Sequence, residues 1–212
     1  MALRKIRTQG DDILTKECRK VDKVTPKILE LIDDMFDTMY DTFGVGLAAP
    51  QVGILKQIVV IDTTGDDPHV LINPEIIETS GSQTGDEGCL SVPGMAGQVT
   101  RPNYVKVKAY DENMEEFILE GEELLARAIC HETDHLHGRL YTELVEGELH
   151  RTSYEEDEEA RLAEGEPRAS RRTLQRVLER HTRRFGLPPL HEDALRPLHW
   201  RGRPPEIPPA LR

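Results

Sequence analysis

The segment His131-Glu132-Thr133-Asp134-His135 constrains this chain more than any other. It lies within residues 122–137, a stretch that reads as a helix. Leu124, Leu125, Ala128, Ile129 and Leu136 mark its apolar face, and Gly138 stands where a helix commonly ends on a left-handed residue. Residues four apart on a helix project from one face, so the imidazoles of His131 and His135 can converge on one ion. Glu132 then lies beside them, placed to handle the proton of a metal-held water. The plain alternative is two solvated histidines, since such a match arises by chance in roughly a few per cent of chains this long.

A catalytic metal site needs a third protein ligand and an open position. Downstream, the glycine of an extended metalloprotease motif is present as Gly138, but Tyr141 stands in the place of its third histidine. Glu155, Glu156, Glu158 and Glu159 belong to an acidic run, and such runs are usually solvated. Upstream lies Glu87-Gly88-Cys89-Leu90-Ser91. Its flanks are rich in Gly, Ser and Thr, which places Cys89 on a loop. A lone cysteine is more often a small core residue than a ligand. A third segment, Gly44-Val45-Gly46-Leu47-Ala48-Ala49-Pro50-Gln51, is made of small residues. It suits either a tight helix-to-strand turn or the close approach of another backbone or a ligand.

Thr25 and Pro26 open an earlier helix that carries Ile28, Leu31, Ile32, Met35, Met39 and Phe43 at helical spacing, and Gly44 would stop it. Strands are expected over 57–61, 70–72, 76–79, 104–110 and 117–119. Helix, several strands, helix is the order of an α+β domain. Mixed or antiparallel sheets would pack around the central His-Glu-x-x-His helix, with a helix near the N-terminus. Beyond about residue 146 the composition changes: the last lysine is Lys108, and eight of the 14 prolines follow. Two parts are therefore expected. Residues 1–148 form the catalytic domain. Residues 149–212 form a charged, Arg/Pro-rich extension, partly disordered, with one helix at about 170–185. The formal net charge is −12, and residues 1–146 hold a balance of −13. That part has no basic footprint for DNA or RNA. No run of about 18 apolar residues exists and the start does not read as a signal peptide, so no membrane partner is expected. Three widely spaced cysteines suit a reducing, cytoplasmic setting.

Taken together, residues 44–51, 87–91 and 131–135 resemble the three signature motifs of peptide deformylases, in the same order and at similar spacing. The likeness covers roughly residues 1–150 and includes Lys5-Ile6, Gly10-Asp11 and Asp34-Met35. It implies removal of the N-formyl group from the formyl-methionine of newly made polypeptides, with release of formate. By resemblance, Cys89, His131 and His135 would hold one divalent ion, Fe²⁺ in the cell with Zn²⁺ as the alternative. Glu132 would be the acid/base. Gln51 and the Leu90 N–H would face the developing oxyanion, and the backbone of Val45 and Gly46 would hold the peptide. Cys130 departs from the usual glutamine before the first histidine and reads as a packing residue. Pro50 falls at a place that varies in the family. Two other functions fit parts of the pattern: a zinc metallopeptidase of the His-Glu-x-x-His type, and a non-catalytic ribosome-associated protein that kept the fold. In the tail, Arg171, Arg172, Arg176, Arg180, Arg183 and Arg184 suggest contact with ribosomal RNA, while a dispensable extension is the plainer reading.

Overall fold

A computed structural model describes residues 2–152; the basic helix expected at about 170–185 lies outside them. Helix α1 spans Pro26–Asp41. Proline at its first turn costs nothing, because that N–H has no partner inside the helix. Its inner face buries Ile28, Leu31, Ile32, Met35 and Met39. The left-handed residue that turns the chain is Phe43, with φ 55°, and the N–H of Gly44, expected to stop the helix, closes its end on the Met39 carbonyl at 2.8 Å.

Strands β1 (Gly46–Ala48), β2 (Ile58–Ile61), β3 (His69–Ser80), β6 (Tyr104–Tyr110) and β7 (Glu116–Glu122) form one antiparallel sheet in the order β1-β2-β3-β6-β7. The segments expected at 70–72 and 76–79 are one strand. Its ladder with β6 shifts register between Ile72 and Glu75. There Asn73 takes φ 51°, and its side-chain amide bonds both the N–H and the C=O of Val21 at 2.8 Å. The register shift lets the strand bend without ending, and the Asn73 amide ties the bend to the Val21 backbone.

Side-chain alternation along β2 explains the layering. Ile58 and Val60 face α1 in one apolar cluster, together with Leu47, Val70 and Ile72. Val59 and Ile61 face the second helix in another, with Leu71, Val105 and Val107. A strand covered on both faces reads as a continuous apolar run, which is what Ile58–Ile61 is. The far end of the sheet has one polar face, carrying the ion pairs Lys106–Glu120 (2.9 Å) and Lys108–Glu75 (3.1 Å).

Helix α2, Glu123–Leu136, lies on the second face and buries Ala126, Ala128, Ile129, Cys130 and Leu136. Leu124, expected on that face, is 48% exposed, whereas its neighbour Leu125 packs against Gly121 of β7 and the apolar cluster. Gly138, with φ 70°, follows. A Cβ there would come within 3.0 Å of the Lys16 nitrogen and closer still to the Thr15 carbonyl. The Cys18 N–H donates to the Leu136 carbonyl at 2.8 Å, so residues 15–18 close the end of α2.

A smaller sheet joins β4 (Gln83–Cys89), β5 (Val92–Arg101) and β8 (His150–Arg151). Cys89 was expected on a loop, and it ends a strand instead. The Gly- and Thr-rich flanks form a hairpin whose outward side is polar, as at the Thr84–Thr100 hydroxyl pair (2.7 Å). A register shift between Gly88 and Cys89 turns the cysteine out of the regular ladder. Among the described residues no helix is long and apolar enough to cross a membrane.

Candidate metal centre

Helical spacing sets His131 and His135 side by side, with their Nε2 atoms 3.2 Å apart and both rings buried. The hairpin end brings the Cys89 sulfur to 3.2 Å from His135 Nε2. The three ligand atoms lie within 4.8 Å of one another. Glu87, two residues before Cys89, accepts a hydrogen bond from His131 Nδ1 at 2.7 Å. An ionised carboxylate only accepts, so Nδ1 carries a proton toward Glu87, and this bond orients the ring with Nε2 toward the other two ligand atoms.

Burial alone would push the Glu87 carboxyl up. Hydrogen bonds from His131 and Arg101 outweigh it and hold Glu87 well below the usual carboxylate range. Arg101 grips both carboxylate oxygens, at 3.1 and 2.7 Å, and reaches Asp134 at 2.6 Å with its remaining nitrogen. Arg127 adds a bond at 2.8 Å and also donates to the Val99 carbonyl. The Tyr141 ring stacks on His131 at 6.0 Å between centroids, and its hydroxyl donates to the Met95 carbonyl. Sequence reasoning missed the parts played by Glu87, Arg101, Arg127, Ser91 and Tyr141. Only Glu87 and Ser91 carried a signal, through their place beside Cys89.

Glu132 points to the strand side of the helix. It is 4% exposed, and its Oε2 is buried without a hydrogen-bond partner among the described residues. Burial, with some help from Glu87 and against His131, pushes its carboxyl up to about 7. Burial, then the neighbouring His131, keeps His135 well below the usual imidazole value and therefore neutral. Gln51 sits in a short 3-10 turn, Ala49–Val52, and is 1% exposed. Its Oε1 accepts the Ala48 N–H at 2.8 Å, which fixes the side-chain orientation. Its Nε2 therefore faces the site, 3.1 Å from Ser91 Oγ and 3.5 Å from the Cys89 sulfur. Leu90 is half-buried next to Cys89, and Val45 is 40% exposed at the mouth. The Val45 carbonyl is bonded inward to the Asp62 N–H at 2.9 Å. By strand alternation, the backbone of Gly46 faces the open edge of β1. Cys130, next to the first histidine, packs into the cluster between α2 and the sheet, as its place on the helix implied.

A buried carboxylate beside two imidazoles and a thiol, on a helix packed against antiparallel sheets, defines a metal-dependent hydrolase of the His-Glu-x-x-His kind. Comparison with known proteins narrows the class. The sequence profile of the polypeptide deformylase family matches residues 3–149. A peptide deformylase of Agathobacter rectalis is 68% identical over 159 residues, covering 75% of this chain and all of the relative. One of Lachnoclostridium phytofermentans is 67% identical over 162 residues, covering 75% of this chain and 99% of the relative. The crystal structure of a peptide deformylase from Legionella pneumophila superposes with a TM-score of 0.67 at 44% identity, over 68% of this chain and 87% of that one. That of the Thermotoga maritima peptide deformylase also gives 0.67, at 37% identity, over 69% and 100%. The chain belongs to the peptide deformylase family, whose members remove the N-formyl group from new polypeptides.

Proposed function

We propose that Cys89, His131 and His135 hold the ion and that Glu132 is the acid/base of deformylation. The observation that carries this reading is the convergence of one sulfur and two Nε2 atoms beside a buried carboxylate. The donor set fits a divalent ion of intermediate softness, Fe²⁺ in the cell with Zn²⁺ as the alternative. When bound, the ion supplies Lewis acidity that makes water a nucleophile near neutral pH and polarises the formyl carbonyl.

The chain's own residues do the rest. Glu132, buried beside the ligands with its Oε2 unpartnered among the described residues, is placed both to take the proton of the attacking water and to return it to the leaving amine nitrogen. Gln51 Nε2, locked by its Oε1 bond to Ala48, and the Leu90 N–H would donate to the formyl oxygen as negative charge develops on it. The outward backbone of Gly46, with Val45 at the rim, suits an extended peptide laid along β1 as an added strand. The product amine belongs to a nascent chain, so we place the protein in the cytoplasm at sites of synthesis. The Arg-rich tail is read as a ribosome contact.

Anaerobically prepared protein should release formate from formyl-Met-Ala-Ser. Glu132→Ala should abolish release while about one metal per chain stays bound. No formate from a fully metal-loaded protein would overturn the reading.

A further inference from the structure

We propose that Gly46 is a positioning residue for Glu132: the side chain missing at 46 is the space the Glu132 carboxylate occupies. Gly46 is buried in β1 and its backbone is not left-handed, so no conformational demand requires glycine there. The demand is for volume. A Cβ on Gly46 would lie 2.9 Å from both Cγ and Cδ of Glu132 and would press harder still on Oε1. Real Cβ atoms do not come that close, so one of the partners has to move.

Neither main chain is free to yield. β1 is laddered to β2 through Leu47 and Val60, and its residues 46–48 are buried. α2 carries both proposed histidine ligands and is closed at its end by residues 15–18. The Glu132 side chain itself gives way, in a pocket that leaves it 4% exposed. The contrast with Gly44 is informative. A Cβ there would meet the tip of Leu90 at 2.8 Å, and a methyl group at the end of a leucine can turn aside. At Gly46 the clash falls on the middle of the Glu132 chain, so the whole carboxylate is displaced. A shift of about 1 Å in a catalytic group costs on the order of 100-fold in rate.

The role rests on Glu132 being the acid/base, so the experiment separates the two. Gly46→Ala, Glu132→Ala and the double variant are compared first without metal. In the presence of Glu132, Gly46→Ala should lower the unfolding midpoint by roughly 5 °C. In the Glu132→Ala background the same change should be neutral or slightly stabilising, as alanine is at an unstrained glycine site. If Gly46→Ala fails to fold and the double variant folds, the coupling is equally supported. Equal losses in both backgrounds, or failure to fold in both, would overturn it. With metal loaded, Gly46→Ala should lose about 100-fold in kcat with KM within roughly twofold and unchanged metal content. A raised KM with intact kcat would make Gly46 a peptide-binding residue only, and overturn the proposal. Deformylation surviving in Glu132→Ala alone would instead remove the reading of Glu132 and leave the metal-free coupling standing.

Discussion

Replacing Glu87 with glutamine should damage stability and metal retention together, and the structure sets the size of each effect. The Glu87 carboxylate accepts four hydrogen bonds, two from Arg101 and one each from Arg127 and His131. Glutamine keeps the shape and one oxygen, but it removes the charge and turns an amide toward groups that only donate. Arg101 retains Asp134, whereas Arg127 is left with backbone carbonyls alone. Its guanidinium is buried, and losing the partner of a buried charge costs about 3–5 kcal/mol. The retained oxygen and the carbonyls favour the lower end, about 3 kcal/mol. Loss of the carboxylate behind a ligating histidine weakens metal binding by about 10- to 100-fold. Urea unfolding of the metal-free protein at pH 7 reads the first effect. Competition with a chromogenic chelator reads the second. The pH dependence supplies a sign. Glu87 is held below its ordinary value of 4.5 in the fold, so its contribution is present above that value and lost as the pH falls below it. Glu87→Gln should remove that acid-side slope. A stability loss under about 1 kcal/mol, with the slope intact, would refute the view that Glu87 is the electrostatic hub of the site.

Two further outcomes follow from burial and charge. The Cys18 and Cys130 thiols are both pushed up to about 11 by burial, so they stay protonated and enclosed at pH 8. A disulfide reagent should therefore label about one thiol per metal-free native chain, at the half-buried Cys89; rapid labelling of all three would contradict it. Deleting residues 153–212 should reduce co-sedimentation with ribosomes at low salt and flatten its salt dependence, whereas equal, salt-insensitive pelleting would dismiss the tail as a ribosome contact.

The two helices and the paired histidines were legible because both rest on a 3.6-residue period that local spacing reveals. The strand at Tyr104–Tyr110 was legible through its alternation. What was hidden depends on distant partners. The bend at Asn73 is tied to Val21, 52 residues away in sequence, and no pattern near residue 73 announces that. Cys89 looked like a loop residue because glycine and threonine dominate its flanks; those residues form the polar side of a hairpin. Arg101 and Arg127 looked like any surface arginines until the fold buried them against Glu87. Leu124 matched the helical stripe yet is exposed, while Leu125 beside it is the residue that packs on the sheet. The proposed donor set rests on the likeness of three separated segments to one family, and no one of them suggests it alone.

The closure of α2 by residues 15–18 has a consequence for how the chain comes into being. The segment that seals the histidine-bearing helix is made first and waits for a partner made some 120 residues later. Synthesis yields the cysteine early and the two imidazoles late. A chain arrested before His131 therefore has the thiol but neither imidazole, and residues 15–18 still lack the helix they seal. On the proposed ligand set, acquisition of the ion marks the end of assembly of the domain rather than its beginning, and the young enzyme cannot act on any chain, its own included, until α2 is in place.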